Sequence, residues 1–397
     1  MISLDEALAV VSRSLDGAGR PSETIPVADA RGRTLVADHH SKLDLPPFDK
    51  SAMDGYAIPA GDRQAVYQVL ETVPAGSLPK AVLLPGTAVK VMTGAPVPPG
   101  TGHVVKLEDV SERGDSIEVM EFRHANNICR QGEDVRRGDT ILSAGSRLSP
   151  LDVANLIGAG ITEVEVYRPV RVAVLSTGDE IADDPAQLRP GMIINTNGPL
   201  LAGLARHSGL NVVANKSLRD ERATIVRTLN DALEQADLIV LSGGVSVGDF
   251  DFVTLAMQDA GLQVHFTALA VKPGRPTTYA SLGGKAVFGL PGNPVSVYLM
   301  FHLFVLFAAA RMQGGPGPCR QWIAPLASDF RRRTVDRAEY VPCCLGPQGR
   351  LERVDYHGSA HLTALGRADG FFVVPPGTAT ILANEQATFL ATRFHCG

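Results

Sequence analysis

The chain predicts a multidomain fold of α/β plus β type, and three observations carry that reading. The segment from Arg171 to Gln313 holds three short apolar runs, each broken by a glycine-rich turn: Arg-Val-Ala-Val-Leu-Ser-Thr-Gly-Asp-Glu (171–180), Asp-Leu-Ile-Val-Leu-Ser-Gly-Gly-Val-Ser-Val-Gly-Asp-Phe-Asp (237–251) and Ala-Val-Phe-Gly-Leu-Pro-Gly-Asn-Pro-Val-Ser (286–296). Runs of Val, Ile and Leu without polar alternation predict strands covered on both faces, as in a parallel-type sheet between helix layers. Helix-period segments separate these runs, and stretches rich in Pro, Gly and short β-like runs lie elsewhere in the chain.

Taken in order, the first helix begins at a capping box of Ser3 and Glu6. It places Leu4, Ala7, Leu8, Val11 and Leu15 on one face and ends at Gly17 and Gly19. Residues 46–138 then predict strands at Val66 to Val73, Ala88 to Met92, His103 to Val110 and Ile117 to Phe122. The turns Arg113-Gly114-Asp115 and Arg137-Gly138-Asp139 punctuate them. Ser149-Pro150-Leu151-Asp152 opens a second helix stopped by Gly160, with Leu151, Ala154 and Ile157 expected to face inward. The helical pieces 1–45 and 139–168 are therefore expected to pack as one discontinuous domain around an inserted β domain, 46–138.

Residues 169–316 form the predicted α/β domain. Asn197 with Pro199 opens a helix closed by Gly209, and Asp220 can cap the next, in which Ile225, Val226, Leu229 and Leu233 share a face. Asp251 can cap a third that ends at Gly261, and Pro294 suits the first position of a fourth. Val295 to Ala310 is nearly all apolar but shorter than the roughly 18 residues of a membrane span, so it predicts a core helix with His302 packed inside. After the linker Gly314-Gly315-Pro316-Gly317-Pro318, residues 317–397 read as short strands and predict a small β barrel.

Composition excludes several function classes. A net charge of −5 and a pI near 6.1 argue against a general nucleic-acid binder. Five cysteines, with Cys343 beside Cys344, give neither a disulfide framework nor a metal-ligand spacing. The N-terminus shows no basic region followed by an apolar core, so a cytoplasmic, reducing location without membrane attachment is expected.

Strand-end turns of an α/β sheet converge on one edge, where backbone N–H groups beside helix N-termini suit phosphate. Asp179, Glu180, Asp249 and Asp251 would make that edge acidic, which fits an anion bridged to carboxylates by a hard divalent cation, Mg²⁺ by default. Asp179 and Asp251 read equally as helix caps. Neither a Gly-x-Gly-x-x-Gly turn after a strand nor a Walker loop is present. The inserted domain carries Pro46 to Tyr56, Val91 to Pro96 and Gly132-Glu133-Asp134, each of which alone reads as turn chemistry.

The set Ser51-Ala-Met-Asp-Gly-Tyr-Ala57, Met92-Thr-Gly-Ala-Pro96, Gly132-Glu-Asp134, Ser176-Thr-Gly-Asp-Glu180, Ser242-Gly-Gly-Val-Ser-Val-Gly248, Lys272-Pro-Gly-Arg-Pro276 and Leu290-Pro-Gly-Asn-Pro-Val-Ser296 closely resembles the molybdopterin molybdenumtransferases, the MoeA and gephyrin E-domain family. The resemblance runs in order over essentially the whole chain. It implies the last step of molybdenum cofactor synthesis, in which adenylylated molybdopterin receives molybdate and AMP is released in a Mg²⁺-dependent reaction. It implies glycine-loop donors at Gly178, Gly243, Gly244 and Gly248 for the phosphoanhydride, with Thr177, Ser246, Gly292 and Asn293 in the same cofactor-binding turns. Glu180 and Asp251 are the implied metal carboxylates, with Asp249 in reserve. Lys272, Ser296 and Ser359 match the molybdate pocket, walled by Pro291 and Pro294. Asp54, Thr93 and Asp134 in the inserted domain and Asp220 in the α/β domain match further functional residues. The resemblance also implies a homodimer with a shared active site, and contact with the adenylyltransferase and with apo-molybdoenzymes.

Three positions depart from the family pattern: Cys129, Ala268 and Pro342 stand where basic residues are usual. Each charged hydrogen bond lost to an anionic ligand costs roughly 1.5–3 kcal/mol. Arg130, Arg275 and Arg337 are the nearby cations that could substitute. Two other readings follow from the same residues. One is a pterin-binding or scaffold paralogue without metal insertion, as the missing cations suggest. The other is the preceding adenylyltransferase, whose single domain resembles only 169–316.

Overall fold

The computed structural model describes residues 1–16, 21–244, 252–315, 317 and 321–393. The chain falls into two compact units, one made of Met1–Glu23, Gly32–Val36 and Val166–Gly397, the other of Thr24–Arg31 and Ala37–Glu165.

Helix α1 (Leu4–Leu15) opens the first unit with the expected reciprocal box: the Glu6 N–H donates to Ser3 Oγ at 3.2 Å and the Ser3 N–H to Glu6 Oε2 at 2.8 Å. Its Ala7, Val11 and Leu15 are buried in the core of the α/β body. The Ser14 hydroxyl meets the Tyr279 phenol at 2.5 Å, 265 residues away in sequence.

The second unit is built on a six-stranded sheet: β1 (Gly55–Pro59), β2 (Val66–Val73), β3 (Thr87–Val91), β4 (Thr101–Lys106), β5 (Val110–Arg113) and β6 (Ser116–Val119) in the order β4-β1-β3-β2-β6-β5. Helix α2 (Pro150–Gly158) belongs to this unit and has the predicted box, here Ser149 with Asp152. Helix α1 falls in the first unit and α2 in the second. The inward face of α2 is not the expected one: Leu151, Ala154 and Ile157 are exposed, Leu151 at 69% and Ile157 at 53%, while Leu156 is buried. Leu151, Val153, Ala154, Leu156 and Ile157 ring the helix with apolar groups, so periodicity alone did not select the packed side.

In the first unit a second six-stranded sheet comprises β7 (Arg171–Thr177), β8 (Asn211–Leu218), β9 (Leu238–Ser242), β10 (Gln263–Phe266), β12 (Thr278–Leu282) and β13 (Lys285–Leu290), and β11 (Val271–Lys272) lies between β10 and β12 in sequence. The sheet order is β8-β7-β9-β13-β12-β10. The first four strands are parallel neighbours, whereas β12 is antiparallel to both its neighbours, β13 and β10, so the sheet is mixed. Alternate residues feed two cores. Val172, Val174, Leu238, Val240, Phe288 and Leu290 join one with α3 (Asn197–His207) and the long helix Pro294–Met312, here α6. Ala173, Leu175, Ile239, Leu241 and Val287 join the other with α4 (Arg222–Gln235) and α5 (Phe252–Asp259). That period of two, apolar on both faces, is what an enclosed sheet requires.

Helix α6 starts with Pro294 in its first turn and contains a π-helical stretch, Phe301–Val305. Among the described residues it is the one helix long and apolar enough to cross a membrane; it is largely buried in the core, His302 included. Phe304, fully buried, packs against Phe266 and Phe288 with ring centroids 6.0 and 6.1 Å apart. Phe304→Ala should therefore cost about 3–5 kcal/mol, measured by denaturant unfolding.

Helix α4 corrects another expectation. Its N-cap is Glu221, with extended backbone and no side-chain cap bond, so Asp220 does not cap it. The C-terminal strands β14 (Gln321–Pro325), β15 (Ala338–Leu345), β16 (Leu351–Arg353), β17 (Gly370–Val374) and β18 (Gln386–Ala391) make a sheet of order β11-β15-β17-β18-β14, with β16 against β15. Among the described residues this path has two ends, β11 and β14, and is not a closed ring.

Candidate functional site

Three strand ends of the first unit meet at one edge of the α/β sheet. Ser176 on β7 is paired with Ser242 on β9, and Ser242 with Leu290 on β13. Each strand then turns at Gly178, Gly243 and Gly292 respectively. Gly243 has φ +87°, and a Cβ there would stand 2.2 Å from the Thr177 carbonyl oxygen. The N–H groups of Gly178 and Gly243 donate to Leu218 O and Leu290 O, both at 3.2 Å. These two glycines are therefore not the anion donors expected from sequence: their N–H groups tie strand ends together, and the Gly243 position serves close approach of two backbones.

A cleft of ≈ 360 Å³ opens above these turns. Its polar lining includes Ser176, Thr177, Glu180, Asn195, Asn197, Ser242 and Asn293, and Ile181, Ile193, Ile194 and Leu362 supply an apolar wall. Among the described residues, three buried polar atoms cluster at this strand edge without a hydrogen-bond partner, Ser176 Oγ, Asn197 Oδ1 and Ser242 Oγ, and the Thr177 hydroxyl and the Asp220 carboxyl face each other beside them. An unsatisfied buried polar group costs roughly 1–3 kcal/mol, so such a concentration marks a surface built to meet a polar ligand or water. The loop before α3 is held rigidly: Asn195 Nδ2 donates to Asp183 Oδ1 (3.0 Å) and Ser217 Oγ (2.9 Å), while its Oδ1 accepts the Gly198 N–H (3.0 Å). Asn197 Nδ2 donates to Gly292 O at 2.7 Å and joins this loop to the third turn. Sequence reasoning used Asn197 only as a helix start and passed over Asn195. The polar run Asn195-Thr196-Asn197 directly after an apolar pair was the available signal.

The acidic groups gather as expected in part. The Asp220 N–H donates to Asp179 Oδ1 at 3.3 Å, and Glu180 folds back so that a Cβ on Gly178 would meet its Oε2 at 2.6 Å. Burial pushes the Asp220 carboxyl above its ordinary value; the neighbouring Thr177 hydroxyl pulls the other way, and the charges of Glu180 and Asp179 push further up. The folded chain thus keeps a proton on Asp220 that the unfolded chain has lost. This contribution to stability is present below the ordinary value of 3.8 and is lost as pH rises through the raised one. Thermal melts of wild type and Asp220→Asn across that window should converge at low pH and diverge above it, with the variant the more stable.

Helix α6 brings in the third turn. Asn293 Nδ2 donates to Ser359 Oγ at 2.7 Å and the Val295 N–H to Ser359 O at 3.0 Å, so Ser359 is docked at the helix start. Pro291 and Ser296 are buried there and Pro294 lines the cleft. Lys272 on β11 is paired with Glu339, Nζ to Oε1 2.8 Å, and no contact among the described residues joins it to Ser296 or Ser359. Gly244 sits against Thr177, with a hypothetical Cβ 2.7 Å from its Oγ1. Ser246, Gly248, Asp249 and Asp251 lie outside the described residues, and among the described ones no group of three or more His, Cys, Asp or Glu is arranged to hold a metal.

The second unit holds its own pair. Asp54 Oδ1 accepts both the N–H of Thr93 (2.6 Å) and its hydroxyl (2.8 Å), and these bonds hold the carboxyl below its usual range, the backbone one contributing most. Asp134 is exposed, its N–H bonded to Leu45 O at 3.0 Å, and is joined to neither by a described contact. Of the cations considered as substitutes, Arg130 is ion-paired with Asp49 at 2.6 Å and Arg337 with Asp336 at 3.4 Å, while Arg275 is exposed. Cys129 sits on a short strand opposite Lys50, Ala268 accepts the Ile2 N–H, and Pro342 is buried in β15.

A strand-end cleft lined by hydroxyls, side-chain amides and the Glu180 carboxylate, in a chain of α/β and β-rich parts, forms a candidate pocket for a small polar molecule. Family models match in sequence: "MoeA N-terminal region (domain I and II)" over residues 2–160, "Probable molybdopterin binding domain" over 173–311, and "MoeA C-terminal region (domain IV)" over 324–391. A protein of Haemophilus influenzae named molybdopterin molybdenumtransferase is 34% identical, covering 98% of each chain, and one of Staphylococcus epidermidis with the same name is 33% identical over 93% of this chain and 90% of its own. The crystal structure of the molybdopterin biosynthesis MoeA protein of Pyrococcus horikoshii OT3 superimposes with a TM-score of 0.85 at 30% identity, covering 98% of this chain and all of that one. The chain belongs to the MoeA family.

Proposed function

We propose that this chain is a molybdopterin molybdenumtransferase, an enzyme of molybdenum cofactor biosynthesis that inserts molybdate into adenylylated molybdopterin and releases AMP with Mg²⁺. The observation that carries the reading is the cluster of buried Ser176 Oγ, Asn197 Oδ1 and Ser242 Oγ, without partners among the described residues, near Asp179, Glu180 and Asp220 at one strand edge. Relatives covering almost the whole chain carry that enzyme's name.

The donor set suits Mg²⁺. Carboxylate oxygens are its preferred ligands, and it is usually held by only one or two of them together with substrate phosphates, so a preformed cage is not required. Glu180 would hold it, with Asp249 and Asp251 from the adjoining segment. When bound it offsets the charge of the phosphoanhydride. The protein's own residues do the rest. Asn197 and the serine hydroxyls orient the bound substrate through hydrogen bonds that no described residue takes up, Thr177 stands beside them, and the isoleucine wall excludes water from one side. Asp220, whose carboxyl is held above its ordinary value by burial, lies against Asp179 at the same edge. Lys272, Ser296 and Ser359 would receive the molybdate dianion. The remaining parts of the proposal are a homodimer in which Asp54, Thr93 and Asp134 complete a shared site, contact with the adenylyltransferase and apo-molybdoenzymes, and a cytoplasmic setting that suits the free thiols of Cys129, Cys343 and Cys344.

Incubating the purified chain with adenylylated molybdopterin, Mg²⁺ and molybdate, then adding an apo-molybdoenzyme, should restore that enzyme's activity. Restoration that is the same without this chain would overturn the proposal.

A further inference from the structure

Lys272 does not stand alone. Strand β11 runs parallel to β15, and the register sets Lys272 directly opposite Glu339. The resulting cross-strand pair, 2.8 Å from Nζ to Oε1, joins a half-exposed ammonium to a carboxylate only 14% exposed. Behind Glu339 lies Arg332, whose side chain is 5% exposed and whose NH1 stands 3.6 Å from Glu339 Oε2. The guanidinium is fixed by three main-chain carbonyls, donating to Thr378 O (2.7 Å), Arg337 O (2.8 Å) and Pro375 O. Glu339 Oε2 itself has no hydrogen bond among the described residues. On another side Glu339 faces Tyr356, whose phenol is pushed up to about 12, by burial first and then by the Glu339 charge. Tyr356 lies three residues before Ser359.

The arrangement is directional. A lysine stem has four rotatable carbons and a strongly hydrated head, so on a two-residue strand its ammonium would sweep a wide volume. The buried carboxylate confines it, and the rigid Arg332 fork confines the carboxylate. Arg332 also offsets the Glu339 charge, so the three groups together remain positive toward an incoming dianion. We propose that Glu339, braced by Arg332, is a positioning residue for Lys272 that presents its ammonium to the oxyanion. The inference rests on the reading of Lys272 as an oxyanion contact. The competing account is a plain structural ion pair, which would affect stability and leave oxyanion use unchanged.

Two measurements on the full-length chain separate these accounts. The first follows AMP release from adenylylated molybdopterin against molybdate concentration for wild type, Glu339→Ala, Glu339→Gln, Lys272→Ala and the double variant Lys272→Ala with Glu339→Ala. Glu339→Ala should raise the half-saturating molybdate concentration about tenfold with little change in maximal rate, and Glu339→Gln, which keeps an acceptor, less. The double variant should match Lys272→Ala alone, because a residue that acts through Lys272 has nothing to act on without it. Fully multiplying effects would overturn the proposal. The second measurement, mass-spectrometric rates of Lys272 acetylation by acetic anhydride, needs no turnover. An ammonium must break its bond to the carboxylate before its nitrogen can attack, so Glu339→Gln should label several-fold faster than wild type. Equal rates would show that the pair does not form in solution and would overturn the proposal. Faster labelling combined with unchanged molybdate dependence in Lys272→Ala would instead show an intact pair at a lysine that does not contact oxyanion, which removes the functional reading of Lys272 and the positioning role with it.

Discussion

Glu180→Gln is expected to lower molybdate-dependent AMP release by on the order of 10²–10³, the loss typical of removing one group aimed at charge in a transition state. The side chain is exposed and lies over Gly178, where a Cβ would be 2.6 Å from its carboxylate. Its placement therefore depends on the glycine beneath it. Because Glu180 buries little, its replacement should change stability by no more than about 0.5 kcal/mol, and an unchanged melting temperature would assign the lost rate to the site. The amide keeps the size and one oxygen but loses the charge, so the substitution tests charge. Activity within a few-fold of wild type would remove Glu180 from the metal-binding set.

Gly243→Ala should have a comparable effect by another route. The added methyl would stand 2.2 Å from the Thr177 carbonyl oxygen, and the residue would have to keep φ +87°. The backbone term alone costs about 1–2 kcal/mol, and the contact cannot be relieved by a flexible side chain because the obstacle is main chain. The ends of β7 and β9 must then move apart, and a displacement of about 1 Å at a site of this kind can cost on the order of 10²-fold in rate. Gly261 provides the control: its φ is +77° and nothing lies within 4 Å of its hypothetical Cβ, so Gly261→Ala should show the backbone cost in denaturant unfolding with no loss of activity.

The contrast between these glycines shows what the chain discloses before it folds. The runs 171–177, 238–242 and 286–290 announce enclosed strands because both faces are apolar, and both capping boxes are written in four residues each. The long helix from Pro294 is equally plain, since proline at its start and an apolar run of intermediate length leave few alternatives. Long-range choices are not local in this sense. Helix α1 packs on elements some 265 residues away through Ser14 and Tyr279, and no local pattern distinguishes that partner from α2. The packed side of α2 is undetermined because the helix is apolar nearly all round. Strand β12 carries no mark of its reversed direction; the turn Gly283-Gly284 between β12 and β13 was the nearest clue, a two-residue hairpin connection.

The site was legible as chemistry and less so as geometry. Convergence of the glycine turns followed from topology, and Glu180, Thr177, Asn293 and Ser359 meet the cleft or its rim. Asp220 looked like a helix cap because acids before helices usually are, yet its side chain turns to Thr177 and the cap position falls to Glu221. Gly178 and Gly243 looked like anion donors, but a strand end must satisfy its own N–H groups first, and theirs are spent on Leu218 and Leu290. Family resemblance pointed to Lys272 without indicating Glu339 or Arg332. Only the register of β11 against β15 brings those together.

The most direct test of the central claim is AMP release from purified adenylylated molybdopterin, with Mg²⁺ or with a chelator, in the presence and absence of molybdate, using Asp251→Ala alongside wild type. The account predicts release that requires both Mg²⁺ and molybdate and that the substitution abolishes. Tight binding of the pterin with no AMP release at any molybdate concentration would contradict it and would identify the chain as a pterin-binding paralogue.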